Sequence, residues 1–310
     1  MAFGLVSLIP NDAGIPFIRG RVIAFAFSVL MIIGSLTAYA VNGINFGIDF
    51  TGGIQMEIDT DGPADLAQIR EIAGSLDLGA ADVQGFGEAD KVLIRLQALE
   101  GEGLDVEAAQ QQARQTLQTA LEEQIPGVTV LAADVLGAKV SGELQIAGLT
   151  AVLVALGLML IYIWFRFEWQ YSVGAVLALV HDVIITIGLF AVTQMEFNLS
   201  TVAAILTIVG YSMNDTVVVY DRIRENLRKF KKKEIGEVLN LSINDTLSRT
   251  ILTSFTTLVA LFALFAIGGP TLQGFSAAMI FGIVVGTYSS IFVAAPILMI
   301  TKVNRDSSED

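Results

Sequence analysis

Between Thr250 and Thr301 the chain carries no charged side chain. A run of that length constrains the fold more than any other feature, because a bilayer-spanning helix needs about 20 mainly apolar residues and this stretch holds enough for two. Gly268-Gly269-Pro270 interrupts it, and such breakers end one helix and begin another. Shorter runs of the same kind recur upstream. They predict six membrane spans at about 22–41, 144–165, 171–195, 198–220, 249–267 and 275–301. With 54% hydrophobic residues and a mean hydropathy of +0.66, the sequence reads as a polytopic α-helical membrane protein. Leu8 to Ile18 is too interrupted, by Pro10, Asn11, Asp12 and Pro16, to add a seventh span. Trp169 and Tyr171 have the character of an interfacial aromatic belt ahead of the third span. The first run follows Arg19 and Arg21 and ends in Ala38-Tyr39-Ala40, as a cleaved signal peptide would. Its apolar stretch, Val22 to Val41, exceeds the roughly 7 to 15 residues of a signal core, so a retained helix is expected.

Orientation follows from the basic residues. Arg222, Arg224, Arg228, Lys229, Lys231, Lys232 and Lys233 crowd the expected loop 221–247, which the positive-inside rule places in the cytoplasm. Six spans then put both ends, 1–21 and 302–310, on the same side, and residues 42–143 on the opposite one, which the resemblance given below makes the periplasm. That segment contains 18 acidic and 5 basic residues, a net of −13 that equals the charge of the entire chain. Such acidity argues against nucleic acid as a partner. The basic loop could touch anionic membrane lipids or serve only to set topology.

Within 42–143 the pattern predicts strands at Ile54–Ile58, Val83–Phe86, Val92–Leu96 and Val128–Leu131, with helices over Pro63–Leu76 and Val106–Gln124. Two helices among short strands suggest a small α+β domain of the ferredoxin-like kind. At about 100 residues it can bury a core without disulfides, and the chain has no cysteine.

The catalytic repertoire is thin. His181 is the only histidine, thiols are absent, and no Gly-x-x-x-x-Gly-Lys-Ser/Thr phosphate loop occurs, so no cofactor, no metal and no enzymatic activity are expected. Two acids stand in spanning segments, where a carboxylate costs about 2.5 to 3.5 kcal/mol to insert and is usually functional: Asp182 and Asp215. They could be imagined as an aspartyl protease dyad. Asp215, however, follows Gly210-Tyr211-Ser212-Met213-Asn214 rather than a Gly-x-Gly-Asp motif, and Arg249 in the next span would hinder proton sharing.

Helical rise places Asp215 about 26 Å from the outer end of its helix and Arg249 about 31 Å from the outer end of its own, so both fall toward the cytoplasmic side. Burial disfavours an ionised carboxylate and a nearby cation favours it. Motion that separates Asp215 from Arg249 would therefore let the acid load a proton, and re-approach would release it. A permanent structural ion pair is the alternative. His181, Asp182 and Asn214 are candidates for a secondary relay or for hydrogen bonds between helices. Gly274, Ala278, Gly282, Gly286, Ser290 and Ala294 form a stripe of small residues, with Gly282 and Gly286 in a Gly-x-x-x-Gly packing motif.

Three strings carry a family resemblance: Gly47-Ile48-Asp49-Phe50-Thr51-Gly52-Gly53; Gly210 to Thr216 with its continuation Asp221-Arg222-Ile223-Arg224-Glu225-Asn226; and Ser248-Arg249-Thr250 followed by Thr253-Ser254. With His181-Asp182, they resemble the SecF family of bacterial protein-export membrane subunits over roughly Arg21 to Val303. The resemblance implies a six-helix bundle related to proton-driven RND exporters, set in the bacterial inner membrane. It implies pairing with SecD, work alongside the SecYEG channel and YajC, and unfolded polypeptides as substrates on the periplasmic side. It also implies that the proton gradient drives the work, with Asp215 and Arg249 in the proton path. An exporter of small molecules or lipids, and a scaffold that does not titrate, are the other readings of the same residues.

Overall fold

A computed structural model describes residues 14–79, 81–97, 104–301 and 303. Most of the expected N-terminal segment 1–21 and of the tail 302–310 lies outside the described residues. The chain divides into two compact units: Met1–Asn45, Ala151–Met195 and Ser200–Asp310 form one, and Phe46–Thr150 with Glu196–Leu199 form the other.

Among the described residues, six helices are long and apolar enough to cross a membrane. They are α1 (Arg21–Asn42), α5 (Ala138–Arg166), α6 (Trp169–Thr193), α7 (Leu199–Lys229), α8 (Ile235–Ile267) and a last span. That last span comprises α9 (Pro270–Ser289), a π turn (Ser290–Ala294) and α10 (Ala295–Ile300). The spans α6, α7 and α9 are more than half buried, whereas α1, α5 and α8 present mostly exposed apolar surface.

Small residues decide which helices approach closely. A methyl group at Gly282 on α9 would stand 2.3 Å from the Ile208 side chain of α7, and one at Gly286 would stand 3.0 Å from Ser212 Cβ. On α6, a Cβ at Gly188 would come within 2.8 Å of the Ser35 Cα of α1. The π turn also has a local cause. Pro296 has no N–H with which to close a regular turn back to the preceding helix, and the wide turn ends just before it.

Two expectations are revised here. The stretch 221–247 is largely helix: α7 continues to Lys229 and α8 begins at Ile235, leaving a short connection at 230–234. Arg222 of α7 joins the two extensions by donating to Asp245 of α8 at 2.8 Å and also bonds to Glu225 on its own helix at 2.7 Å, while Asn226 donates to Ser242 and Asp245. Tyr171 is not an interfacial belt residue but a buried one, packed on Phe167 and Tyr220.

The second unit is built on a four-stranded antiparallel sheet in the order β2-β3-β1-β4, from β1 (Gly53–Asp59), β2 (Ala81–Gly85), β3 (Lys91–Leu96) and β4 (Thr129–Leu136). With α3 (Leu66–Ser75) after β1 and α4 (Leu104–Gln124) after β3, this is the ferredoxin-like βαββαβ arrangement. Alternation puts Ile54, Met56 and Ile58 of β1, with Val92, Ile94 and Leu96 of β3, into a core shared with Ile69, Ile72, Leu117 and Leu121 of the helices. The Asp65 carboxylate caps α3 by accepting from the Ala67 and Gln68 N–H groups. β4 runs farther than the expected Val128–Leu131. Pairing along β1 carries it through Ala132, Ala133 and Asp134, whose intrinsic strand preference is poor.

Candidate functional site: two buried carboxylates and their hydroxyls

Asp215 is 7% exposed and Asp182 is 1% exposed, each on a helix of the bundle interior. A buried carboxylate offers several lone pairs and must have donors for them. Asp215 on α7 accepts from Thr250 Oγ1 of α8 at 2.5 Å through one oxygen and from Ser290 Oγ, the first residue of the π turn, through the other. Asp182 on α6 accepts from Ser212 Oγ of α7 at 2.6 Å and from Ser289 Oγ of α9 at 2.7 Å, both on Oδ2. Its Oδ1 lies 2.9 Å from His181 Nδ1.

The imidazole extends the network toward α1. Its ring stacks on Tyr288 at 6.1 Å, and the Tyr288 hydroxyl donates to the Ala24 carbonyl at 2.8 Å and meets Ser28 Oγ at 3.1 Å. His181 Nε2 is buried and has no hydrogen-bond partner among the described residues.

The expected site residues therefore separate. Asp215 is buried, yet Arg249 makes no ion pair with it: the arginine is exposed on α8, beside the Thr250 that does bond. Asn214 is exposed, about 100° round its helix from the acid, and bonds to neither carboxylate. His181 and Asp182 bond to each other, and Asp182 joins three helices. Gly282 and Gly286 seat α9 against α7, and so set the distance at which Ser289 and Ser290 reach the acids.

Sequence reasoning missed Thr250, Ser212, Ser289 and Tyr288 as partners, and took Ser290 only as a small residue in a stripe. The available signal was the pairing of hydroxyls one or three places from each acid or its arginine: Ser212 one turn before Asp215, and Thr250 next to Arg249.

The Gly47–Gly53 string belongs to the second unit. Its short helix α2 (Ile48–Thr51) is followed by Gly52 and Gly53 at φ +70° and +118°, a region that favours glycine. Asp49 accepts from the Leu199 N–H at 2.8 Å and so caps the start of α7, while the Gly47 N–H donates to the Phe197 carbonyl at 2.9 Å. Any side chain at Gly47 would strike Glu196, which pairs with Arg95 of β3.

Comparison with known proteins matches the same regions. The family described as protein export membrane protein SecD/SecF, C-terminal, covers residues 116–304, and the SecD/SecF GG motif covers residues 40–64. The protein translocase subunit SecF of Rickettsia bellii is 44% identical over 94% of this chain and 95% of its own length, and that of Rickettsia akari is 43% identical over 94% and 93%. The crystal structure of SecDF from Thermus thermophilus, described as a translocon-associated membrane protein, superposes with a TM-score of 0.85 at 34% identity. It covers 95% of this chain, which spans only 40% of the SecDF chain.

Proposed function

We infer the function from kinship and chemistry together: the chain belongs to the SecF family of protein translocase subunits, and we propose that it uses the proton motive force, with SecD, to assist polypeptide export through SecYEG. Asp215 is the proton-binding group in this reading. The observation that carries it is the setting of that carboxylate, buried in a spanning helix and bonded to two hydroxyls rather than to an arginine. A permanent ion pair would lock the charge in place, whereas hydroxyls serve an ionised carboxylate as donors and a protonated one as acceptors.

Arg249 then has a different part from a fixed partner. It is exposed on a face of α8 that also bears Leu252, Phe255, Val259 and Phe262, where a lone cation in hydrocarbon is unfavourable. A SecD bundle packed on that face would shelter the arginine and supply the remaining acids of the path. The chain's two-fifths share of the SecDF length is consistent with half of such an assembly. The α+β domain 42–143 lies in the periplasm and handles the emerging, unfolded polypeptide, while both termini and the basic helical hairpin, in reach of anionic lipid, are cytoplasmic. YajC is a further associate. One charge crossing 100 mV yields about 2.3 kcal/mol, so each proton biases a domain motion by a few tens of fold, and a long polypeptide needs many cycles.

The test is precursor export by vesicles containing Asp215→Asn, assembled with SecD, with and without a proton motive force. We expect loss of the force-dependent portion. Force-dependent export at the unsubstituted level would remove Asp215 from the mechanism. An exporter of small molecules or lipids is disfavoured by the SecF kinship.

A further inference from the structure

Asp182 and Asp215 are joined by more than proximity in sequence pattern. Ser212 and Asp215 stand three residues apart on α7, about 4.5 Å along its axis, and Ser212 donates to Asp182. Ser289 and Ser290 are consecutive, and the first donates to Asp182 while the second donates to Asp215. Adjacent helical residues point roughly 100° apart, which is how one helix can serve acids on two different neighbours.

Each of these two hydroxyls also has a second acceptor. Ser289 Oγ is 3.1 Å from the Gly286 carbonyl, and Ser290 Oγ is 3.0 Å from the Thr287 carbonyl. A serine has a single proton to donate and lone pairs to accept with. When its aspartate is ionised, the proton points to the carboxylate. When the aspartate is protonated, the carboxyl O–H donates to Oγ and the serine proton turns to the backbone carbonyl. Both protonation states of both acids can thus be satisfied without moving a heavy atom far.

We propose that Asp182, held by His181, is a second protonation site, and that Ser289 and Ser290 are positioning residues that couple it to Asp215 so that the two carboxyls titrate as one pair. The groups facing the pair are few. Asp215 meets Thr250 and Ser290, with the Arg249 charge nearby on α8; Asp182 meets Ser212, Ser289 and His181, and His181 meets Tyr288. His181 Nε2 is buried within this cluster and has no hydrogen-bond partner among the described residues. The proposal rests on Asp215 being able to bind a proton, but not on that proton driving export.

The experiment is an infrared pH titration of the protonated-carboxyl C=O band, on the full chain assembled with SecD in lipid vesicles. Asp215→Asn and Asp182→Asn assign the two bands. Coupling predicts two bands that each titrate in steps belonging to the pair. It also predicts a shift of about one pH unit, a tenfold change in proton affinity, in the Asp215 midpoint on Asp182→Asn and on Ser289→Ala. Ser289→Thr, which keeps the hydroxyl, restores the midpoint and separates hydrogen bonding from misfolding. An Asp215 midpoint that stays in place in both variants overturns the proposal, and a shift in Asp182→Asn alone removes the serines from it. Export is not the readout, so failure here is distinct from the survival of force-dependent export in Asp215→Asn.

Discussion

A carboxylate inside a membrane protein announces itself in sequence, but its partners do not. Asp215 was legible because a charge in an apolar run is rare and costly. Thr250, Ser289 and Ser290 were not, since serine and threonine in spanning helices commonly bond back to their own backbone and carry no period or charge of their own. Arg249 was legible as a second charge, yet which way it faces depends on packing that no spacing of residues specifies. A similar blindness covers Glu196, which reads as an ordinary acid at a helix end. It is partly buried against Arg95, and its carboxyl is raised above the usual range by burial, against the opposing pull of the arginine. Because the docked state favours the protonated form, its contribution is fully present below the ordinary 4.5 and is lost as pH rises through the raised value. Amide exchange at Gly47 and Leu199, corrected for intrinsic rate, should show protection falling across that window. Arg95→Ala leaves the acid without its cation, and should lower protection at neutral pH by on the order of tenfold, about 1 to 2 kcal/mol after allowance for partial exposure. Unchanged protection in that variant would show that the backbone bonds of Gly47 and Asp49 hold the loop unaided.

At the scale of elements, the six spans and the order of strands and helices in the α+β unit were readable because long apolar runs and two-residue alternation are strong signals. Their ends were less so. α7 and α8 outrun their apolar segments since Arg222, Glu225, Asn226 and Asp245 satisfy one another across the hairpin, which hydropathy cannot register. Small residues in α9 were visible as a stripe, and packing gives each a separate meaning. Gly282→Leu should lower the melting temperature of the purified protein by several degrees, corresponding to about 1 to 3 kcal/mol of overpacking against Ile208. Gly157→Leu on α5, where an added Cβ meets nothing within 4 Å, is the matched control and should leave it unchanged. Equal losses in both would mean that glycine content, not the α7–α9 approach, sets the stability.

For the whole molecule, composition named the solvent and the kinship named the family, while the exposed face of α8 points outward to what the chain lacks alone. A cation among Leu252, Phe255 and Val259 is expected to be covered in the assembled protein. The absence of cysteine makes this simple to measure, because a single Leu252→Cys is the sole thiol. Its reaction with a membrane-permeant maleimide should slow several-fold when SecD is co-assembled, relative to the chain alone. Equal rates would put the partner on another face.

The π turn at Ser290–Ala294 can be regarded as a dislocation in an otherwise regular lattice of hydrogen bonds. Dislocations glide, because shifting one by a single step exchanges a few bonds and leaves the order on either side intact. Pro296 pins this one on its C-terminal side, having no N–H to exchange, so the open direction of travel is toward Ser290 and Ser289. A step that way would turn the helix end carrying those hydroxyls by about the angle of one residue. The fold thus sets the break in the last span's regular bonding at the serines that serve the two acids.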